Sequence, residues 1–581
     1  MDTVFGSLRH AFDMANKTHI IWCVGILLIM AVLAILHHFW KEDAKKIRIW
    51  RLLCLLPLAA AVIHFLIYAL GEPLIASFFI FLYAIALLAL LPVPFAKRSI
   101  GYRVTACLTG VLSALLGFYF CATSPNCFNY AHMSYTDSFH ALAEQMDRTY
   151  VLKDWKEVDF AALEEKYMPL VEEAEQAQDP AKFYDAVNQF CMELHDGHVW
   201  VSPGFDTETY PLPDKPRNYG LSMVQLDNGD VIAVCTTEEV QKLGIEDGTL
   251  ITHWNGKPIG QALLEDTRDQ GFPVKANADR IAPIQLSGIG GETIDVTVKY
   301  ATGTEMTVTL SDLGGESPAR KAADTFSRMP ELETDEQFEA FLDANFSVRM
   351  LDDKCGYLVL NAEVTSSDFQ DTLAYIMGDH IWAREMFREN LRELRAQGME
   401  YLVIDLRNNF GGFDEIGCAL TSLLTEEDWY GQGLGIRRNG EYISVSDHGI
   451  KGDGEFADLQ VVALTNYNCA SAGDGTSLYL SKLPNVTLAG MTDPNGCNQE
   501  TGGNCVLSDG LMVVSYPVGL ILNEESVPNV DTAPDRISRN PVEVRIPFDY
   551  DAAVQIFFRG EDYELAWAMA YLEEHAACVL E

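Results

Sequence analysis

The stretch LQVVALTNYNCASAGDGTSLYL, residues 459–480, runs from an apolar β-type segment through a polar break to Ser471, after which helical spacing sets in at Leu478, Leu480 and Leu483. A serine between a strand and a helix projects from the turn, and the free N–H groups of the first helical turn can stabilise negative charge beside it. Such a serine is either a nucleophile or a helix cap. Two other places bear on the choice. In ELHDGHVWVSP, His198 stands where a helical pattern gives way to a short β-like run, a junction from which an imidazole can reach a cleft. In EYLVIDLRNNFGGFDEIG, Gly411 and Gly412 follow an apolar strand and could offer N–H groups to an anion. No Gly-Lys-Ser/Thr follows them, which argues against a phosphate loop.

The elements that must position these residues can be read from periodicity. Residues 135–190 carry apolar positions at helical spacing with acidic residues opposite. Residues 217–311 carry short alternating strands, with turns at Asp227-Asn228-Gly229, Glu246-Asp247-Gly248 and Trp254-Asn255-Gly256, and predict a small β-rich module. A polar, acidic stretch over 315–346 reads as a link. Beyond it come the strand CGYLVLNAEV, the amphipathic helix WAREMFRENLRELRAQG stopped by Gly398, and the strand, tight turn and helix around Gly411. Strand, helix, strand describes an α/β crossover, whose ligand sites lie at the carboxyl ends of the strands.

The chain has 581 residues, too many for one ordinary domain. Its 41 Lys+Arg against 83 Asp+Glu leave a net charge of −42, and the balance is uneven. Residues 1–123 hold 10 basic against 5 acidic residues, and the remainder 31 against 78. An acidic body of this kind repels nucleic acid and anionic membrane surfaces. Thirteen cysteines fit no zinc spacing, and Cys497 and Cys505, which bracket CNQETGGNC, could form a local disulfide. Four apolar stretches, 20–36, 52–70, 73–91 and 104–121, each approach the length of a membrane span. The basic connections KEDAKKIRIWR and AKRSIGYR would face the cytoplasm and send the acidic body outside. His64 in the second stretch carries no assigned chemistry.

Two resemblances follow from these strings. LGIEDGTLITHWNGKPI and NYGLSMV resemble a PDZ domain, which captures an extended peptide along a sheet edge. LHDGH, the PDZ-like module, DLRNNFGG (405–412), SAGD (471–474) and VDTAPDRI (530–537), in that order, resemble the S41 peptidases, the tail-specific or carboxy-terminal processing proteases and their tricorn-like relatives. The family's Ser-Ala-x-Glu appears here with Asp474 in place of Glu. The processing proteases use a lysine downstream of the serine, but no Lys or Arg occurs from Met491 to Asp535, so a Ser-Lys dyad is not expected. The tricorn-like branch uses a histidine in a motif resembling DGH, which His198 matches, whereas His195 falls too early.

The resemblance implies a serine endopeptidase with Ser471 as nucleophile, His198 as general base, and the N–H groups of Ala472 and Gly411 or Gly412 as oxyanion hole. The family's carboxylate position is held here by Pro528, so the histidine's partner is expected at Glu525, with Glu524 and Asp531 as alternatives. No metal or organic cofactor is expected. The partners expected are a peptide or protein substrate and a membrane, with no nucleic acid. The expected fold class is multidomain: a four-helix transmembrane region, then an α/β, ClpP/crotonase-like S41 protease core with an inserted β-rich PDZ-like domain. The expected boundaries are a membrane domain over 1–123, a helical part over 130–202, the PDZ-like domain over 216–312, the protease core over 345–550 and a helical tail over 551–581. The expected localisation is the cell membrane, multi-pass, with the protease on the extracytoplasmic side. A catalytically inactive peptide-binding or sensor module of the same fold is the alternative.

Overall fold

The computed structural model describes residues 128–579, other than 213–215, 268–269, 331–336, 338–339, 342–344, 439–440, 524 and 531–539, together with helix α1 (Ala44–Leu53) and scattered residues between 25 and 59. Among the described residues no helix is long and apolar enough to cross a membrane. This overturns the transmembrane part of the expected fold class, and with it the multi-pass localisation, and leaves the membrane partner without support. α1 is built from the basic connection itself, AKKIRIWRLL, and its cations bar it from a hydrocarbon core. Stretches 73–91 and 104–121 lie outside the described residues, and 20–36 and 52–70 fall within them only at scattered positions.

Three helices follow. α2 (Tyr135–Thr149) is capped by the Ser134 hydroxyl, which accepts from the Asp137 N–H, α3 (Phe160–Ala177) by Asp159, and α4 (Pro180–Met192) by Asp179 with Pro180 in its first turn. Their apolar faces, including Phe139, Leu142, Met146, Phe183 and Phe190, are buried against one face of a six-stranded sheet. Its strand order is β1 (Phe128–Asn129), β16 (Gln499–Val506), β17 (Met512–Leu522), β12 (Trp429–Arg438) and β13 (Glu441–Ile450), with β2 (Trp200–Pro203) also on β17.

A second sheet is antiparallel, in the order β3 (Ser222–Gln225), β4 (Val231–Val234), β5 (Leu250–Trp254), β7 (Thr293–Lys299) and β8 (Glu305–Ser311), with β6 (Lys257–Pro258) on β5. It closes over its own core around Tyr219, Trp254, Val296 and Val298.

The third sheet holds the candidate nucleophile. Its order is β18 (Val544–Arg545), β15 (Val486–Gly490), β14 (Gln460–Leu464), β11 (Tyr401–Asp405), β10 (Cys355–Leu360) and β9 (Phe346–Met350), with only β9 antiparallel. Every residue of β11 is buried. Its alternate side chains feed two cores, as expected for a parallel strand covered on both faces. Leu402 and Ile404 pack with Phe387 and Leu391 of α5 (Ile381–Ala396), Leu420 of α6 (Asp414–Leu423) and Leu480 of α7 (Ala472–Ser481). Tyr401 and Val403 pack on the other side with Phe548 and with Ala568 and Leu572 of α8 (Tyr563–Val579). The stretch read as a link contains a helix, Pro318–Ser327, capped by Ser317, whose Ala319, Ala322 and Phe326 enter that second core.

Candidate active site

β11 and β14 are parallel neighbours, with Asp405 opposite Leu464, so the loops that follow them leave the sheet at the same carboxyl edge. Hydrogen bonds lace the two loops together. Asn408 donates its N–H to Asn466 Oδ1 (3.0 Å), and Asn468 Nδ2 donates to Asn408 Oδ1 (3.0 Å). The Ala470 N–H donates to the Asn409 carbonyl (2.9 Å).

Ser471 stands at the N-terminus of α7 with φ +58° and ψ −130°, a left-handed conformation that L side chains avoid. Its hydroxyl makes no capping bond, and the residue is half-buried. Gly411, at φ +86°, lies against it so closely that a Cβ on Gly411 would stand 2.4 Å from the Ser471 Cβ and 2.9 Å from the Ala472 nitrogen. Only glycine fits there. The Gly411 N–H donates to Asn409 Oδ1 (2.8 Å). Gly412 is bridged to Glu363, whose N–H donates to the Gly411 carbonyl (2.9 Å) and whose carbonyl accepts from the Phe413 N–H (2.8 Å).

The segment 495–499 gathers the remaining groups. The Ser471 N–H donates to the Cys497 carbonyl (2.9 Å), and the N–H groups of Gly496 and Cys497 donate to Asp474 Oδ2 (2.5 and 2.9 Å). Asp474 is fully buried, and Asn540 Nδ2 donates to its Oδ1 (2.9 Å). Burial pushes its carboxyl up to about 7, against the pull of these donors. On the other side, Gly197 is packed so that a Cβ would meet Asn495 Oδ1 at 2.2 Å and Cys497 Sγ at 2.8 Å.

His198 is 6% exposed. Its N–H donates to Asp196 Oδ1 (2.9 Å), and its Nδ1 lies 2.8 Å from Gln499 Oε1. Burial holds the imidazole below its ordinary range, with Asp196 and Gln499 acting in the opposite direction. Ser471 and His198, from different sheets, are thus both fastened to one five-residue segment. His195 faces elsewhere, its Nδ1 3.3 Å from the Phe272 carbonyl.

Glu525 lies in an exposed turn in which its N–H donates to Asn523 Oδ1 (2.9 Å), and its carboxylate makes no hydrogen bond to His198. Glu524 and Asp531, with most of VDTAPDRI, lie outside the described residues. Cys497 and Cys505 are free buried thiols, not joined by the disulfide that their positions allowed.

Two further residues escaped the sequence reading. Glu363 is fully buried, its Oε1 accepting from Asn409 Nδ2 (3.0 Å) and Thr476 Oγ1 (2.9 Å), and burial pushes its carboxyl up to about 8. Gln499 is the other, the polar group that faces the His198 ring. Within DLRNNFGG, Asp405 and Arg407 do not face Ser471. Arg407 is buried and pairs with Asp405 (2.6 Å), Asp562 (2.8 Å) and Glu564 (3.1 Å), pinning the start of α8.

Residues 362–525 match the family model for peptidase family S41. The class is therefore that of the serine peptidases. Over that segment the chain is similar to the S41 peptidases. No curated protein matches the sequence. Among solved structures, mature CPAF complexed with lactacystin is similar at 14% identity, over 77% of this chain and 98% of that one, with a TM-score of 0.49. The photosystem II D1 C-terminal processing protease is similar at 17% identity, over 74% and 98%, with a TM-score of 0.31. A putative peptidase from Parabacteroides merdae is similar at 15% identity, over 76% and 97%, with a TM-score of 0.40.

Proposed function

We propose that the chain is a serine endopeptidase in which Ser471 is the nucleophile and His198 the general base. The observation that carries this reading is the strained, uncapped Ser471 at a carboxyl sheet edge, tied through Cys497 to the segment that also holds the His198 ring. Ser471 Oγ attacks a peptide carbonyl carbon as His198 Nε2 takes its proton. The tetrahedral oxyanion is held by the N–H groups of Ala472, in the first turn of α7, and Gly412, since the Gly411 N–H is engaged by Asn409. Collapse expels the amine with the proton from His198, and water, activated by the same imidazole, releases the acyl group.

The sheet from β3 to β8 is read as a PDZ-like module that captures an extended segment of the substrate. The expected substrate is accordingly a peptide or an unfolded protein end.

The test is treatment of the full chain with a serine-directed fluorophosphonate. Labelling of the wild type that is lost in both Ser471→Ala and His198→Ala supports the reading. A folded wild-type chain that takes no label would make it a peptide-binding module instead, and labelling that survives His198→Ala would assign the base elsewhere.

A further inference from the structure

Gln499 opens β16 opposite Leu520 of β17 and is 5% exposed. His198 precedes β2, which pairs with the same β17, so one strand fixes the backbone on both sides of the contact between the two side chains. An amide oxygen only accepts hydrogen bonds, so the Nδ1 that faces Gln499 Oε1 carries the ring hydrogen and Nε2 keeps its lone pair. That is the tautomer a general base requires. Asp196, the charged group that acts on the imidazole, and Lys156, which lies under the same loop, are engaged with other partners. Asp196 takes the His198 backbone N–H and the Tyr150 hydroxyl, and Lys156 Nζ donates to the carbonyls of Leu194 and His195. Among the described residues the buried Gln499 Nε2 has no hydrogen-bond partner. Leaving a buried donor unpaired costs free energy, and a side chain kept only for packing has no reason to bear that cost.

We infer that Gln499 is the positioning residue of this site, its amide carbonyl orienting His198 where related triads use a carboxylate. The inference rests on the Ser471–His198 reading given above. Glutamine does what the asparagine of a Cys-His-Asn triad does, fixing the ring and its tautomer without supplying a charge. A neutral partner stabilises the imidazolium less than a carboxylate would, so the base works from a low proton affinity.

The experiment compares Gln499→Ala and Gln499→Glu with the wild type in the full chain. Two quantities are read: the pH dependence of the fluorophosphonate labelling rate, and the titration of His198 by NMR with labelled histidine, its signal assigned by its loss in His198→Ala. Gln499→Ala is expected to slow labelling about 10-fold or more. Gln499→Glu is expected to recover most of the rate and to move both the acidic limb and the His198 titration upward by about one pH unit, since an adjacent carboxylate favours the charged ring. If Gln499→Ala does not fold, Gln499→Glu alone decides. A limb and a titration unchanged in Gln499→Glu, in a chain whose labelling still needs Ser471 and His198, would overturn this inference and leave the protease reading intact. A wild type that takes no label would overturn the protease reading and the positioning role together.

Discussion

The backbone N–H of Ser471 donates to the carbonyl of Cys497 at 2.9 Å, and this one bond joins the candidate nucleophile to the segment that carries Gln499. Asp474, in the first turn of α7, holds the same segment by accepting from the N–H groups of Gly496 and Cys497. The serine's conformation is therefore set from both ends. Strain at φ +58° persists because its surroundings over-determine it.

Replacing Ser471 separates strain from chemistry. Ser471→Gly removes the penalty of the left-handed backbone, whereas Ser471→Ala keeps it. The glycine variant should be more stable than the alanine variant by about 1 kcal/mol. Neither should take a fluorophosphonate label. Urea denaturation of the two proteins measures the difference, and equal midpoints would remove strain from the account.

Gly411→Ala puts a methyl group 2.4 Å from the Ser471 Cβ at a backbone angle that disfavours it. We expect labelling to fall by about 100-fold or more, because displacement of the nucleophile or of an oxyanion donor costs on that order. Stability should fall by about 1–3 kcal/mol. A Gly411→Ala chain labelled at the wild-type rate would show that the close approach has no bearing on the site.

Arg407→Leu leaves Asp405 and Glu564 buried beside an apolar side chain. Breaking such a network from one side costs about 3–5 kcal/mol. The loss should show as a lower thermal midpoint and as proteolysis within α8. Arg407→Lys should recover only part of it, since an ammonium cannot form the paired contacts with Asp405 and Asp562 that the guanidinium fork makes.

Stability should fall as pH rises from about 5 to about 8. Burial pushes Glu363 to about 8, and Asp474 and Glu415 to about 7. Across that range the folded chain holds protons that the unfolded chain has released, so the stabilisation is complete near pH 4 and is lost as pH climbs through the folded values. His198 works in the opposite direction, its depressed affinity lowering stability below its ordinary range. The sign of the slope therefore follows the three carboxyls. Thermal unfolding across the range measures it, and Glu363→Gln should flatten the curve.

The placement of Ser471 between a strand and a helix, of Gly411 after β11 and of His198 after α4 could be read from local pattern, because each depends on a change of periodicity within a few residues. Gln499 could not. Its contact with His198 spans 301 residues and leaves no local trace. Glu363 was hidden for the same reason, its partners being Asn409 and Thr476. The sequence suggested a carboxylate near Pro528, but Glu525 stands exposed in its turn. Arg407 and Asp405, which sit in the most recognisable string of the chain, serve the attachment of α8. Length and hydropathy predict membrane spans in the apolar stretches near the start, whereas the described helix there, α1, is the basic connection between two of them.

In the six-stranded sheet that carries His198, β1 and β2, early in the chain, pair with β16 and β17, which are made far later. On a ribosome the first pair must wait for the second. A nascent chain that has made His198, and even Ser471, still lacks the strands that seat the imidazole. The imidazole is thus seated only once β17 has been made, and a shorter polypeptide holds His198 without its strand partners.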